Sequence, residues 1–180
     1  MTCVIGMIHN NIIYMGSDNI GSNLSIKISR NDNKVFKKDE MIIGCTTSFR
    51  MINILQYQLQ LPLHDPKIST DEYMYTSFIE EVRYLFREKG FSKIDSNVEI
   101  GGDFIVGYKG NLYNICEDFQ IEKPADNFAC VGSGMPYAYG AMKILIENKL
   151  LSAEEIITKA LEVAEYYNPF VRKPFNIMSL

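Results

Sequence analysis

The sequence predicts an α+β protein, and three observations carry that prediction. Strand-like and helix-like patterns fall in separate blocks, in the order strands, two helices, strands, two helices. Each amphipathic helix pair needs a sheet face to cover, and each strand block has the short polar turns that let neighbours pair antiparallel. The 180 residues read as a single domain, 1–180, of a size that buries roughly 70% of the surface its unfolded chain exposes. No internal repeat, low-complexity tract or linker divides it.

The first block opens with β-rich runs from Thr2 to His9 and from Ile12 to Gly16, joined at Asn10-Asn11, a pair that tolerates the positive φ of a tight hairpin. Further runs from Leu24 to Ser29, Lys34 to Lys37 and Met41 to Thr46 are separated by Asn, Asp and charged residues that suit turns. From Ser48 the period becomes helical: Met51, Ile52, Leu55 and Leu59 form an apolar stripe that Pro62 ends. Ser69 and Glu72 have capping-box spacing ahead of a second helix, which carries Tyr73, Phe78, Val82, Leu85 and Phe86 as far as Gly90. Strand character returns from Asp103 to Tyr108, turns at Lys109-Gly110-Asn111, and resumes from Leu112 to Cys116 and from Phe128 to Gly132. Two helices close the chain. Ala138, Ala141, Met142 and Leu145 mark the first; Ser152 and Glu155 form a capping box ahead of Ile156, Ile157, Ala160, Leu161 and Ala164 in the second.

Composition excludes several classes of function. With 47% hydrophobic residues, 22% charged residues and a net charge of −4, the chain is neither disordered nor membrane-like. Its densest basic cluster, Lys34, Lys37 and Lys38, is too small to neutralise a phosphate track, so no nucleic-acid partner is expected. No stretch reaches the ~20 apolar residues that span a bilayer, and the N-terminus lacks the charged, apolar and small-residue segments of an export signal. Cys3, Cys45, Cys116 and Cys130 show no C-x-x-C spacing and read as reduced, mostly buried thiols. His9 and His64 lie too far apart for a local metal motif. These features point to a cytoplasmic protein without metal or cofactor.

The residues that bear chemistry begin at Thr2. Removal of Met1 would leave a residue carrying a hydroxyl nucleophile and a free α-amine, one of the known ways to activate a weak alcohol. The amine, with an unperturbed pKa of ~7.7–8.0, suits the task of general base. A lysine ammonium nearby would disfavour its protonation, and a carboxylate would hold that lysine charged and oriented. Asp18, at the end of the second strand, and Lys34, at the start of a later one, can supply those two groups. Gly44 ends a buried run in Met41-Ile42-Ile43-Gly44, where glycine serves close packing or a bulge. Ser133 lies in Gly132-Ser133-Gly134, which also reads as a turn and helix cap.

Thr2, Asp18, Lys34 and the Gly-Ser-Gly turn at Ser133, in this order and spacing, resemble the proteasome β-subunit family and most closely its bacterial HslV-type branch. The stretch from Val131 to Ala164 is similar to the family's third and fourth helices. The resemblance implies a four-layer αββα sandwich, the fold of the N-terminal nucleophile hydrolases, and a threonine-type peptidase cleaving peptide bonds of peptides or unfolded proteins with Thr2 as nucleophile. It further implies that the Gly44 amide stabilises the oxyanion, that Ser133 assists proton transfer, and that Ser22, Asp32, Ile42 and Thr46 line the substrate cleft. A homo-oligomeric ring is implied, with a separate ATP-dependent unfoldase as partner, since this chain has no P-loop.

Two departures stand out. Asn168 occupies the region where proteasome-type members carry an aspartate, and Cys3 stands where a second threonine is usual; the latter should point away from the nucleophile, as the next residue of a strand does. The tail from Val171 to Leu180 follows neither branch. Two other readings remain compatible with the residues: an amidase of the same architecture acting on a small amide, and a non-catalytic ring subunit. Retention of Asp18 and Lys34 weighs against the second, because a purely structural subunit is better served by apolar residues there.

Overall fold

Alternating strand patterns and short turns build two antiparallel sheets. The computed structural model describes residues 2–22 and 26–180. The strands are β1 (Val4–His9), β2 (Ile12–Asp18), β3 (Ile20–Ser22), β4 (Lys27–Ser29), β5 (Val35–Lys38), β6 (Met41–Cys45), β7 (Lys93–Asp95), β8 (Val98–Ile100), β9 (Phe104–Tyr108), β10 (Asn111–Ile115), β11 (Ile121–Glu122), β12 (Phe128–Val131) and β13 (Phe175–Ser179). One sheet has the order β12-β1-β2-β13 and the other β11-β10-β9-β6-β5; β3-β4 and β7-β8 are separate hairpins. The β1-β2 register runs from Val4 opposite Ser17 to His9 opposite Ile12. Asn10 (φ 49°) and Asn11 (φ 63°) close it, as the twist of a two-residue hairpin requires.

The helices are α1 (Phe49–Gln58), α2 (Thr70–Tyr73), α3 (Ile79–Glu88), α4 (Met135–Leu145) and α5 (Ala153–Tyr167), with a π-helical segment, Met74–Phe78, joining α2 to α3. Ser48 caps α1 by accepting from the Arg50 N–H, and Ser69 caps α2 by accepting from the Glu72 N–H. Ser152 and Glu155 form the full reciprocal box at α5. Met51 and Leu55 of α1 and Val82 and Phe86 of α3 pack on the outer face of the five-stranded sheet. Ala138 and Met142 of α4 and Ile157 and Leu161 of α5 pack on the outer face of the other sheet. Between the sheets lie Val4, Ile13, Met15, Val35, Ile42 and Ile105. These are the four layers, αββα, that the resemblance implied.

The structure differs from the sequence reading at several elements. The run expected from Leu24 to Ser29 begins outside the described residues, and Lys27–Ser29 is its described strand. The β7-β8 hairpin and β13 were not read from the pattern. Every side chain of β7 is exposed and none of β8 is buried, so no alternation of apolar and polar positions betrays them. Ser96 (φ 49°) and Asn97 (φ 68°) were the available turn signal. β13 is half-buried at four successive positions, again without alternation.

The topology brings particular strand ends together. Val4 stands opposite both Ser17 and Val131, and Val35 opposite Gly44. Residues just outside these pairs, including Thr2, Asp18, Lys34, Thr46 and Ser133, therefore share one end of the sandwich. The two sheets approach closely there. A Cβ on Gly44 would lie 2.5 Å from Met15 Sδ and 2.6 Å from Val4 Cγ1, so Gly44→Ala overpacks the space between the sheets. We expect the substitution to cost about 1–3 kcal/mol in urea unfolding; an unchanged midpoint and slope would show that the sheets separate without strain.

Candidate active site

Thr2 precedes β1, and its hydroxyl is held between two charges. Lys34 Nζ donates to Thr2 Oγ1 at 2.6 Å, and Thr2 Oγ1 donates to Asp18 Oδ1. Asp18 Oδ1 also accepts the Cys3 N–H at 2.9 Å, while Asp18 Oδ2 receives Lys34 Nζ at 2.9 Å. The carboxylate thus uses one oxygen for Thr2 and Cys3 and the other for the lysine. The Lys34 and Asp18 side chains are 3% and 0% exposed, and Thr2 is 1% exposed. Burial pulls the Lys34 pKa below its ordinary value, with the Asp18 charge and hydrogen bond opposing that shift and the Arg30 charge adding to it. Desolvation, which disfavours the charged form of a lysine, outweighs the stabilisation from Asp18 on which the sequence reading relied.

The carbonyl side of Thr2 is fixed by the turn after β12. Gly134 N–H donates to Thr2 O at 3.1 Å, and Ser133 Oγ lies 3.4 Å from the same oxygen. Gly132 adopts φ +95°, and a Cβ there would collide with the Thr2 carbonyl oxygen. A side chain at 132 is excluded on both counts. Cys3 points the other way, into the helix-covered core with Phe128 and Ala164, where burial pushes its thiol pKa far up. It packs and does not face the Thr2 hydroxyl.

Thr2, Asp18, Lys34 and Ser133 are therefore brought together. Of the remaining residues expected at the site, Gly44 and Ile42 are placed otherwise. Cys45 N–H donates to Lys34 O at 2.9 Å; since successive amides of a strand alternate in direction, the Gly44 amide faces β9, where Gly44 stands opposite Ile105. Gly44 is explained by the close packing of the sheets against Met15 and Val4. Ile42 is 0% exposed and packs between the sheets, so it lines no cleft. Thr46 is buried with its Oγ1 donating to Asp103 O at 2.9 Å, and its methyl group faces Gly132 beside the Thr2 carbonyl.

Ser22 ends β3 opposite Lys27, and its buried Oγ has no partner among the described residues. Asp32 is held by Arg30 through Nε at 2.8 Å and Nη2 at 2.5 Å. Arg30 stacks on Phe49, 3.8 Å from the ring centroid, and Lys34 Nζ lies 5.9 Å from the same ring. Arg30 and Phe49 thus join the site's edge without having been foreseen; a lone arginine in a polar turn gives no sequence signal for it. Asn168, weighed in the sequence only for the charge it lacks, donates through Nδ2 to Ser133 O at 2.6 Å.

A model of the Proteasome subunit family matches residues 1–178. The chain belongs to the proteasome subunit family. Among its relatives, the ATP-dependent protease subunit HslV of Caldicellulosiruptor saccharolyticus is 40% identical over 60 residues, 33% of this chain and 34% of that protein. HslV of Thermosipho africanus is 28% identical over 108 residues, 53% of this chain and 61% of that protein. The matched segments span about a third of the first relative's length and less than two thirds of the second's. Among solved structures, BPH of Thiobacillus denitrificans superimposes with a TM-score of 0.85 at 17% identity, covering 99% of this chain and 97% of that one. HslV of Trypanosoma brucei does so with a TM-score of 0.73 at 20% identity, covering 99% of each chain. These two similarities concern the fold. No cluster of three or more His, Cys, Asp or Glu suited to a metal occurs among the described residues, and no helix of theirs is long and apolar enough to cross a membrane.

Removing one partner of a buried ion pair strands the other. Lys34→Met leaves the Asp18 carboxylate uncompensated and is expected to cost about 3–5 kcal/mol in urea unfolding at pH 7; a cost under ~1 kcal/mol, typical of exposed pairs, would mean the pair is solvated. The lowered Lys34 pKa has its own signature. The unfolded chain binds the proton more tightly than the fold does, so this group's contribution to stability rises with pH from its lowered folded value toward ~10.4. That rise should be absent from the pH dependence of Lys34→Met.

Proposed function

We propose that this chain is a threonine-type peptidase that cleaves peptide bonds through an acyl-enzyme on Thr2. The observation that carries the reading is the Thr2 hydroxyl bonded on one side by Lys34 Nζ and on the other by Asp18, all three side chains out of water. Such an arrangement costs stability and has no packing advantage over apolar residues.

Met1 lies outside the described residues, and the mechanism requires its removal. The freed α-amine then takes the Thr2 hydroxyl proton as Oγ1 attacks the scissile carbonyl carbon. Lys34 stabilises the developing alkoxide from 2.6 Å, and Asp18 holds the lysine and the Cys3 amide in register. The tetrahedral intermediate expels the amine, which receives the proton, and leaves an ester on Thr2. Water activated by the same base hydrolyses the ester and restores the hydroxyl. Ser133, next to the Thr2 carbonyl, is placed to pass protons, and Ser22, Asp32 and Thr46 border the approach to the nucleophile.

The relatives are named as subunits of an ATP-dependent protease. That name supports a protein or peptide substrate and an assembly of subunits coupled to ATP; we extend this to a homo-oligomeric ring, a separate ATP-dependent unfoldase and a cytoplasmic location. The assembled protein lacking Met1 should hydrolyse a fluorogenic peptide amide, and Thr2→Ala should lower the rate by about 10³-fold or more, as nucleophile removal does. Hydrolysis of a small amide but of no peptide would replace the peptidase by an amidase; undiminished peptide cleavage by Thr2→Ala would rule out Thr2 as nucleophile.

A further inference from the structure

The chain changes partners immediately after Asp18. β2 ends there, opposite Phe175 of β13, and β3 begins at Ile20, opposite Ser29 of β4. Asn19 alone separates the two ladders, and it is 7% exposed. In a regular antiparallel pair, opposed residues exchange two main-chain hydrogen bonds. Here the Arg30 N–H donates to Asn19 O at 3.1 Å, but the Asn19 N–H is given to Pro174 O at 3.0 Å, ahead of β13. One main-chain donor cannot serve both segments. The side chain supplies the second: Asn19 Nδ2 donates to Arg30 O at 2.8 Å and to Asn33 Oδ1 at 3.2 Å. The orientation of the amide follows from its partner, because the Arg30 carbonyl can only accept. Asn19 Oδ1 is buried without a partner among the described residues, a cost that an apolar residue would not carry.

The two acceptors of Nδ2 bracket the segment 30–33 that leads directly into Lys34. Asn19 follows Asp18 and Asn33 precedes Lys34, so their bond joins the residues next in sequence to the 2.9 Å ion pair. The same segment carries Arg30, whose guanidinium shares the Phe49 ring with Lys34. We infer that Asn19 is a positioning residue of the Thr2 site: it fastens segment 30–33 to the end of β2 and so fixes where Lys34 enters the buried group of Thr2 and Asp18. An apolar residue of the same size would fill the volume but leave Arg30 O and Asn33 Oδ1 without this donor. Aspartate would bring only acceptors and a further negative charge next to Asp18. The consequence for catalysis rests on the peptidase reading; the fastening does not.

Asn19→Leu separates the donor from the volume. Its kcat on a fluorogenic peptide should fall about 10-fold to 100-fold, as small misplacements of catalytic groups cause, with KM within about twofold of the wild type. Lys34 gives a readout that a loss of packing elsewhere would not move. Burial holds its pKa below the ordinary lysine value, and the Arg30 charge adds to that shift. Loosening the segment admits water to the ammonium and lets Arg30 draw away, and both changes act upward. The titration of Lys34, followed by NMR of isotope-labelled lysine, should therefore move up in Asn19→Leu. The groups that act on Lys34 are common to both proteins: Asp18 of β2, Cys3 ahead of β1, Arg30 after β4 with its partner Asp32, and the freed amine of Thr2. An unchanged kcat, or an unchanged Lys34 titration, would overturn the inference.

Hydrogen exchange of the wild type tests the fastening without any variant. The Arg30 amide, bonded to Asn19 O, should exchange at least about tenfold more slowly than the amide of Ile28, which lies further out on the same hairpin opposite Gly21. A smaller difference would show that the segment is not held at Asn19 and would overturn the inference. Failure of the wild type to cleave any peptide would sink the peptidase reading alone and leave the Lys34 titration and the exchange result to decide on Asn19.

Discussion

An ammonium group kept out of water beside a carboxylate is the constraint around which this protein is organised. Transferring either charge into the interior costs several kcal/mol even after relaxation, and the 2.9 Å contact between Lys34 and Asp18 offsets that cost only because both groups have further partners. Asp18 accepts hydrogen bonds from the Cys3 amide and the Thr2 hydroxyl; Lys34 donates a hydrogen bond to that same hydroxyl oxygen. The net downward pull on the Lys34 pKa shows that solvent exclusion is the stronger influence. A cation held at that distance is what the proposed mechanism needs to stabilise an alkoxide forming on Thr2.

Holding three side chains from the ends of three strands at such distances demands a rigid frame. β1 and β2 are fixed by a six-pair register, and β5 is fixed on β6 by pairs running from Val35 opposite Gly44 to Lys38 opposite Met41. The facing sheets meet where Gly44 has no side chain to hold Met15 and Val4 away. The turn at Gly132, Ser133 and Gly134 then closes over the Thr2 carbonyl, and Asn168 ties that turn to the end of α5. Packing thus sets the geometry of the site: the sheets set where the charges stand, and the turn sets where the main chain of Thr2 points.

Much of this was legible in the residues, for identifiable reasons. Alternating runs bounded by Asn-Asn and Lys-Gly turns have a strong local signal, as do Ser152 and Glu155 at a helix start, so the strand and helix blocks were read correctly. Thr2, Asp18, Lys34 and Ser133 are chemically distinctive and were singled out together. The β7-β8 hairpin escaped because none of its side chains is buried, which removes the alternation on which strand reading depends. Gly44 and Ile42 were assigned to the site by likeness, whereas ladder direction and burial, which are properties of three dimensions, place one against Met15 and the other between the sheets. Asn168 was left without a role because in the sequence it is an uncharged residue where a charge was sought, whereas in the fold its side chain donates to the Ser133 carbonyl at 2.6 Å.

All of these arrangements converge on one atom, Thr2 Oγ1. The direct measurement is the mass of the assembled protein after incubation with a peptide bearing an electrophilic carbonyl group, followed by fragment mapping. A single adduct per chain on a fragment that begins at Thr2, with Met1 absent, is the result that the buried pair and the bonded hydroxyl predict. An unmodified chain that retains Met1, or an adduct on a cysteine or on a serine elsewhere, would contradict it.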